Sequence, residues 1–343
     1  MGLLDIQLKQ GIMIKIYKIL TIFLILSLAF IPFIYSQEKE IKKNDLEKMN
    51  LYGHVKSLRE IQYEVIDGKT STYSRRHRYY IFDENGQKVE DCMYNSDGSL
   101  FSKNTYKYND SGTLLEFNNF NADGRLAYKN FGKYDDNGNI TEWTWYLPDG
   151  SIQTSFRYKY DNKGNKIEFN EYTTDEKQYQ KTKYKYDLNG NMVQEIGLIS
   201  LRYKNTYKYD NKGKMMEWDH NKKNGKLIYK TIYKYDLNGN WVEVKSYDEK
   251  GELQTINTNE YDSNGNRIEV KVFDFEGKIT SHSTFKYDDN NNELEYNVYN
   301  SNGMVYTTYS QVYVYDNSGN WIKEVSCKNK AAIYVTAREI IYF

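Results

Sequence analysis

A 26-residue motif recurs about ten times along this 343-residue chain, and no other feature limits the fold so tightly. Aligned on the glycine of an Asn-Gly-like turn, the repeats fall at Gly86, Gly112, Gly138, Gly164, Gly190, Gly213, Gly239 and Gly265. Asn291 then takes the glycine slot, and Gly319 follows. The step from Gly190 to Gly213 is shortened to 23 residues. Such a period marks a repeat architecture, in which one unit cannot bury its own apolar face and stability comes from its neighbours.

The unit from Tyr233 to Val244 shows what one repeat specifies. Asn238-Gly239 lies between two alternating segments, which predicts a hairpin with a two-residue type I′ turn. Counting outward sets Tyr235 against Val242, Lys234 against Glu243 and Tyr233 against Val244. Alternation then gathers the Tyr and Val side chains on one face and the Lys–Glu pair on the other. The position four before the glycine is aromatic in every repeat, from Phe82 and Tyr108 to Tyr315. The Lys–Glu pair recurs as Lys107 with Glu116, Lys133 with Glu142, and on to Lys286 with Glu295. Pairs of this kind contribute roughly 0.2–1 kcal/mol each. A ladder of them fixes register, because a one-residue slip turns the aromatic face to solvent.

A second turn follows 12 residues later, as in Asp97-Gly98, Asp149-Gly150 and Asn302-Gly303. Each repeat is thus two strands and two turns. The expected fold is all-β: tandem hairpin repeats forming one elongated, spiralling antiparallel meander of about twenty strands. One position resists the scheme. The residue eight after the glycine is often aromatic (Tyr94, Tyr146, Tyr172, Tyr247, Tyr299), yet alternation places it with the Lys and Glu residues. Either a bulge turns it over or the charged face carries an aromatic row of its own.

The ends depart from the period. Lys15 and Lys18 precede an uncharged stretch from Ile19 to Ser36, which reads as a signal peptide over residues 1–36 with a start at Met13 favoured over Met1. Uncleaved, the same stretch would anchor the chain in a membrane. Residues 37–50 read as a linker, 51–80 as an N-terminal capping hairpin, 81–326 as the repeats and 327–343 as a C-terminal capping strand. The expected location is exported: periplasm, outer surface or medium. Cys92 and Cys327 sit in the first and last repeats, too far apart in a linear array for a disulfide.

Composition narrows the function classes. The chain holds 36 Tyr, 14 Phe and 5 Trp with only 2 Pro, and 47 basic residues balance 47 acidic ones. A balanced charge leaves no footprint for a nucleic-acid partner. The recurring Tyr-x-Tyr-Asp-x-x-Gly-Asn, as in Tyr158 to Asn165, resembles the YD repeats of the Rhs family. The resemblance covers roughly residues 78 to 326. With the leader, Val55-Lys56-Ser57 and Asn320-Trp321-Ile322, the layout looks like small exported YD-repeat proteins of Bacteroidetes-type bacteria. The resemblance implies a wound β scaffold, since in large Rhs and teneurin-like proteins such repeats form a hollow shell around a toxin or display adhesive surfaces. This chain departs from those proteins: it shows no toxin-like region, and its strands look too few to close a cavity.

Repeats dilute the uniqueness that a catalytic site needs. His54, His77, His220 and His282 fall at different repeat phases, and the Glu row is explained by its Lys partners, so no enzyme activity is expected. Asp-x-Asn-Gly-Asn turns such as Asp187 to Asn191 invite calcium, but Gly is fourth there rather than sixth as in the familiar loop. Turn-stabilising side-chain hydrogen bonds account for the same residues. The aromatic rows are the better candidates, because Trp and Tyr offer flat apolar faces with polar edges. Trp143, Trp145 and Tyr247 are the expected stacking residues, and the expected partner is a glycan or a protein docked on a concave face. The alternative is a structural shell or accessory protein related to Rhs-type toxin systems, without a soluble ligand.

Overall fold

The computed structural model describes residues 43–199 and 202–343; the leader reading over 1–36 and residues 37–42 of the expected linker lie outside them, while the rest of that linker forms a helix packed on the barrel. After a short helix α1 (Asp45–Lys48) the chain runs through 22 strands. Those needed below are β1 (Val55–Ile66), β2 (Lys69–Phe82), β3 (Lys88–Tyr94), β6 (Leu126–Tyr134) and β7 (Ile140–Tyr146). Halfway round come β11 (Met192–Gly197), β12 (Tyr203–Tyr209), β13 (Met215–Lys222) and β14 (Leu227–Tyr235). These are followed by β15 (Trp241–Tyr247), β16 (Leu253–Tyr261) and, at the end, β21 (Trp321–Lys328) and β22 (Ala331–Tyr342).

Each strand pairs antiparallel with the next, as the repeat predicts, and β22 then pairs with β1. The meander therefore closes on itself, which corrects the expectation that its strands were too few. The terminal segments make the difference. Both are strands, their number brings the total to an even 22, and an even count lets first and last run antiparallel. Closure removes the free edges that an open meander exposes. A ring of this strand number is wide enough to surround a lumen.

The turns correct the expected type. In the Gly239 hairpin, Gly239 N–H donates to Asp236 O (3.2 Å) and Asp236 N–H to Asn240 O (2.9 Å). Gly239 has φ +90°, and Asn238 is not among the positive-φ residues. A type I′ turn needs positive φ at both central residues, so the loop is instead a type I turn followed by a left-handed glycine. Tyr235 consequently pairs with Trp241 rather than Val242, while Lys234↔Glu243 and Tyr233↔Val244 stand as expected. Asp236 selects this loop: its Oδ1 accepts from Asn240 N–H (2.8 Å), and Asn240 Nδ2 donates to Oδ2 (3.1 Å). Two-residue loops with both residues at positive φ occur only outside the repeats, at Asp67-Gly68 and Asn329-Lys330 among the described residues.

The largest dry cluster sits at the seam. Leu46, Leu51, Val55, Leu58, Tyr80 and Phe82 are buried together, with Ile340 and Tyr342 packed on them. Val55 and Leu58 are 0% exposed. Asn44 caps α1 in a capping box with Glu47, and the N–H groups of Asp45 and Leu46 reach Gly86 O. Asn320 latches the joint: its Oδ1 accepts from Tyr52 N–H, and its Nδ2 donates to Tyr52 O and Tyr342 Oη, each at 2.8 Å.

Candidate functional site: the aromatic face of the wall

The two faces of the wall carry different chemistry. On one, Lys107, Lys133, Lys159, Lys208, Lys234 and Lys286 reach their cross-strand Glu partners at 2.6–3.3 Å while staying 60–71% exposed. On the other, rings touch from strand to strand: Tyr106 with Phe117 (5.2 Å), Phe117 with Tyr128 (5.9 Å) and Tyr128 with Trp145 (5.3 Å). The row resumes at Phe285, Tyr296 and Tyr309. Small polar residues between the rings, such as Asn130, Thr182, Thr231 and Asn259, are buried. Side chains converge on the concave side of a closed wall and splay on the convex side. The more covered aromatic face is therefore the inner one, and the exposed lysines stand outside.

The expected stacking residues divide between the faces. Trp145 stacks on Tyr128 with an interplanar angle of 10°. Trp143 pairs with Gly132 on β6, where a Cβ would come within 2.6 Å of the indole. The lone glycine inside that strand makes room for the ring. Both indoles are half-buried on the inner face. Tyr247 instead pairs with Lys230, whose Nζ meets Glu217 at 3.3 Å, so its register position is outside. The same answer holds for its row. Lys129 lies over Tyr146 (5.7 Å), Arg157 over Tyr172 (4.6 Å), and His282 stacks on Tyr299 (4.1 Å). The charged face has an aromatic row of its own, and the bulge falls beside the ring without turning it inward.

Three acidic residues, unnoticed in the sequence, interrupt the inner rings. Asp91, Glu195 and Glu324 all lie five residues after their glycine, where Phe117, Trp143 and Phe169 stand in other repeats. Asp91 accepts from Asn104 Nδ2 (2.8 Å) and Tyr106 Oη (2.6 Å), with Lys88 Nζ at 2.9 Å. Glu195 accepts from Tyr203 Oη (2.8 Å), Asn205 Nδ2 (2.9 Å) and Tyr207 Oη (3.0 Å). An acid in an aromatic phase was the signal available. Burial, reinforced by the Glu195 charge, pushes the Tyr203 and Tyr207 phenols far up. Burial also holds His220 below the ordinary histidine value, against the pull of Glu195.

The turn carboxylates that suggested calcium are engaged by their own loops. Asp161, for one, accepts from the N–H groups of Lys163 and Asn165. Among the described residues no group of three or more His, Cys, Asp or Glu side chains is arranged to hold a metal. Cys92 and Cys327 are free thiols. They lie on β3 and β21, four strand steps apart through the seam, or roughly 19 Å at about 4.8 Å per step.

No family model and no curated protein matches this chain. Among solved structures it is similar to the TcdB2-TccC3 toxin complex at 12% identity and a TM-score of 0.41, over 81% of this chain and 19% of that one. It is also similar to a porin-like protein of Bacteroides uniformis at 11% identity and a TM-score of 0.28, over 84% and 96% of the two chains. A porin-like protein of Bacteroides vulgatus gives 12% and 0.20. This chain thus spans about a fifth or less of the toxin subunits it resembles.

Proposed function

We propose that this chain is an exported, non-enzymatic binding scaffold whose inner aromatic face takes a glycan. One observation carries the reading. The outer face spends its charges on cross-strand pairs, whereas the inner face keeps ring after ring half-buried, with phenol and amide groups between them. Sugar rings present C–H faces to stack and hydroxyls to bond, which matches aromatic side chains with polar edges. The uncharged stretch from Ile19 to Ser36 supports export. A wall that crosses a membrane turns an apolar band outward and its polar side inward. Here the outside carries the Lys–Glu ladder, which argues for a wall that stands in water.

A glycan array probed with the labelled full chain tests this. Binding should recur on related glycans and fall at least tenfold in Trp143→Ala and Trp145→Ala, while Tyr247→Ala, on the outer face, leaves it unchanged. An array without reproducible signal would favour the second reading, a shell without a soluble ligand, which closure of the ring supports.

A further inference from the structure

Halfway round the ring from the seam, the wall shortens and the inner face turns polar. There the repeat is three residues short, and β11 and β12 are six and seven residues long, against seven and nine in β15 and β16. The wall dips by roughly 5 Å at about 3.3 Å per residue. Beside the dip, Glu195 holds Asn205 Nδ2 at 2.9 Å. With its amide donating there, Asn205 presents Oδ1 to His220 Nδ1 at 2.6 Å. Asn205 Oδ1 can only accept, so Nδ1 carries the proton. In the neutral ring Nε2 is then an open acceptor, and no hydrogen bond among the described residues engages it. Two residues earlier on the same face of β13, Trp218 Nε1 is a donor without a partner. Both side chains lean on Tyr229, His220 stacked at 4.8 Å and Trp218 edge-on at 5.2 Å.

An unmet donor and an unmet acceptor on neighbouring rings suit one chemistry, because a hydroxyl group both accepts and donates. We propose that this stretch of β11–β14 is a saccharide subsite that reads a vicinal diol. One hydroxyl accepts from Trp218 Nε1, its neighbour donates to His220 Nε2, and the sugar's C–H face lies on the aromatic patch around Tyr229. The relay from Glu195 through Asn205 fixes the tautomer that leaves Nε2 bare. Side chains that now shield the indole N–H move aside as the hydroxyl enters. The dip in the rim gives the ligand its approach.

This inference rests on the glycan reading, and its test separates the two. Cellohexaose, xylohexaose and chitohexaose are titrated calorimetrically into the full chain, then into Trp218→Phe and His220→Phe, which keep a ring and remove the donor or the acceptor. Each variant should weaken binding about tenfold while the chain still melts cooperatively above the titration temperature, and Glu195→Gln, which loosens the relay, should weaken it less. Binding that survives in both ring variants within twofold, yet is lost in Trp145→Ala, would overturn the subsite and leave the glycan reading standing. If no hexasaccharide binds the wild-type chain, both fall together.

Discussion

The seam and the dip stand on opposite sides of one ring, and they are built from opposite materials. At the seam, β1 and β22 are twelve residues long and pair over nine positions, from Val55 with Tyr342 to Glu64 with Tyr334. At the dip, β11 and β12 pair over three among the described residues: Gln194 with Thr206, Glu195 with Asn205 and Ile196 with Lys204. The joint between non-neighbouring parts of the chain is tall and latched, packed on a dry cluster and crossed by the Arg338–Glu60 ion pair at 2.9 Å. The stretch inside the repeat array is short and polar, with its hydrogen-bonding groups turned inward. A repeat is held by pairing with its neighbours in sequence, whereas the seam must offset the cost of bringing distant strands together, so apolar burial is concentrated where the topology needs it. The dip is free of that duty and can carry chemistry.

The largest test of this contrast is truncation in the dry cluster. Phe82→Ala, at a ring 2% exposed, should cost about 3–5 kcal/mol in equilibrium unfolding. Ile196→Ala, at the half-buried dip, should cost about 1 kcal/mol. Equal losses would break the comparison. Next is the latch. Asn320→Ala strands the backbone N–H and C=O of Tyr52, for an expected loss of about 2 kcal/mol read as a lower denaturation midpoint.

A smaller effect concerns pH at the dip. His220 is held neutral by burial, with a folded value below the ordinary 6.5. A depressed folded value means the unfolded chain binds the proton first as pH falls. Its contribution to stability is therefore complete above 6.5 and is lost as pH drops from there to the folded value. His220→Phe should flatten the stability profile across that interval, and an unchanged slope would show that the imidazole is not the titrating group. The smallest effect belongs to the outer ladder. Lys208→Ala, at a lysine 71% exposed, should cost no more than about 0.5 kcal/mol and less still in high salt. A larger loss by thermal scanning would mean that the outer pairs do more than set register.

The repeat period carried most of this architecture. Alternation placed Lys234 against Glu243 and Tyr233 against Val244, and the structure pairs them so. The turn type was missed because Asn-Gly reads the same in two loops, and the choice lies with Asp236, whose carboxylate reaches the N–H four residues on. Closure was missed for a different reason. Pairing between Val55 and Tyr342 has no periodic signature, since it joins two segments outside the repeats. The candidate rings Trp143 and Trp145 were legible, but the side on which Tyr247 lies depended on register at a bulge. Glu195 was legible in principle as an acid in an aromatic phase, and its importance emerged only with Asn205 and His220 beside it.

The tyrosine four before the glycine has, in most repeats, a consequence for the order of assembly. Tyr134 Oη donates to Leu114 O, Tyr160 to Ile140 O, and Tyr186 to Lys166 O, each 20 residues back, and Tyr209 to Met192 O across the shortened repeat. These hairpins are thus buttoned to the one made just before them, so the wall can grow in one direction as the chain emerges. Only the final step joins residues nearly 290 apart, and closing such a loop costs about 5 kcal/mol in chain entropy. The last species before completion is then an almost finished wall with two long bare margins of matching register. At high concentration the margin of another copy competes with the chain's own. Refolding this protein at rising concentration should trap strand-exchanged dimers, and dilution before the last step should rescue the monomer.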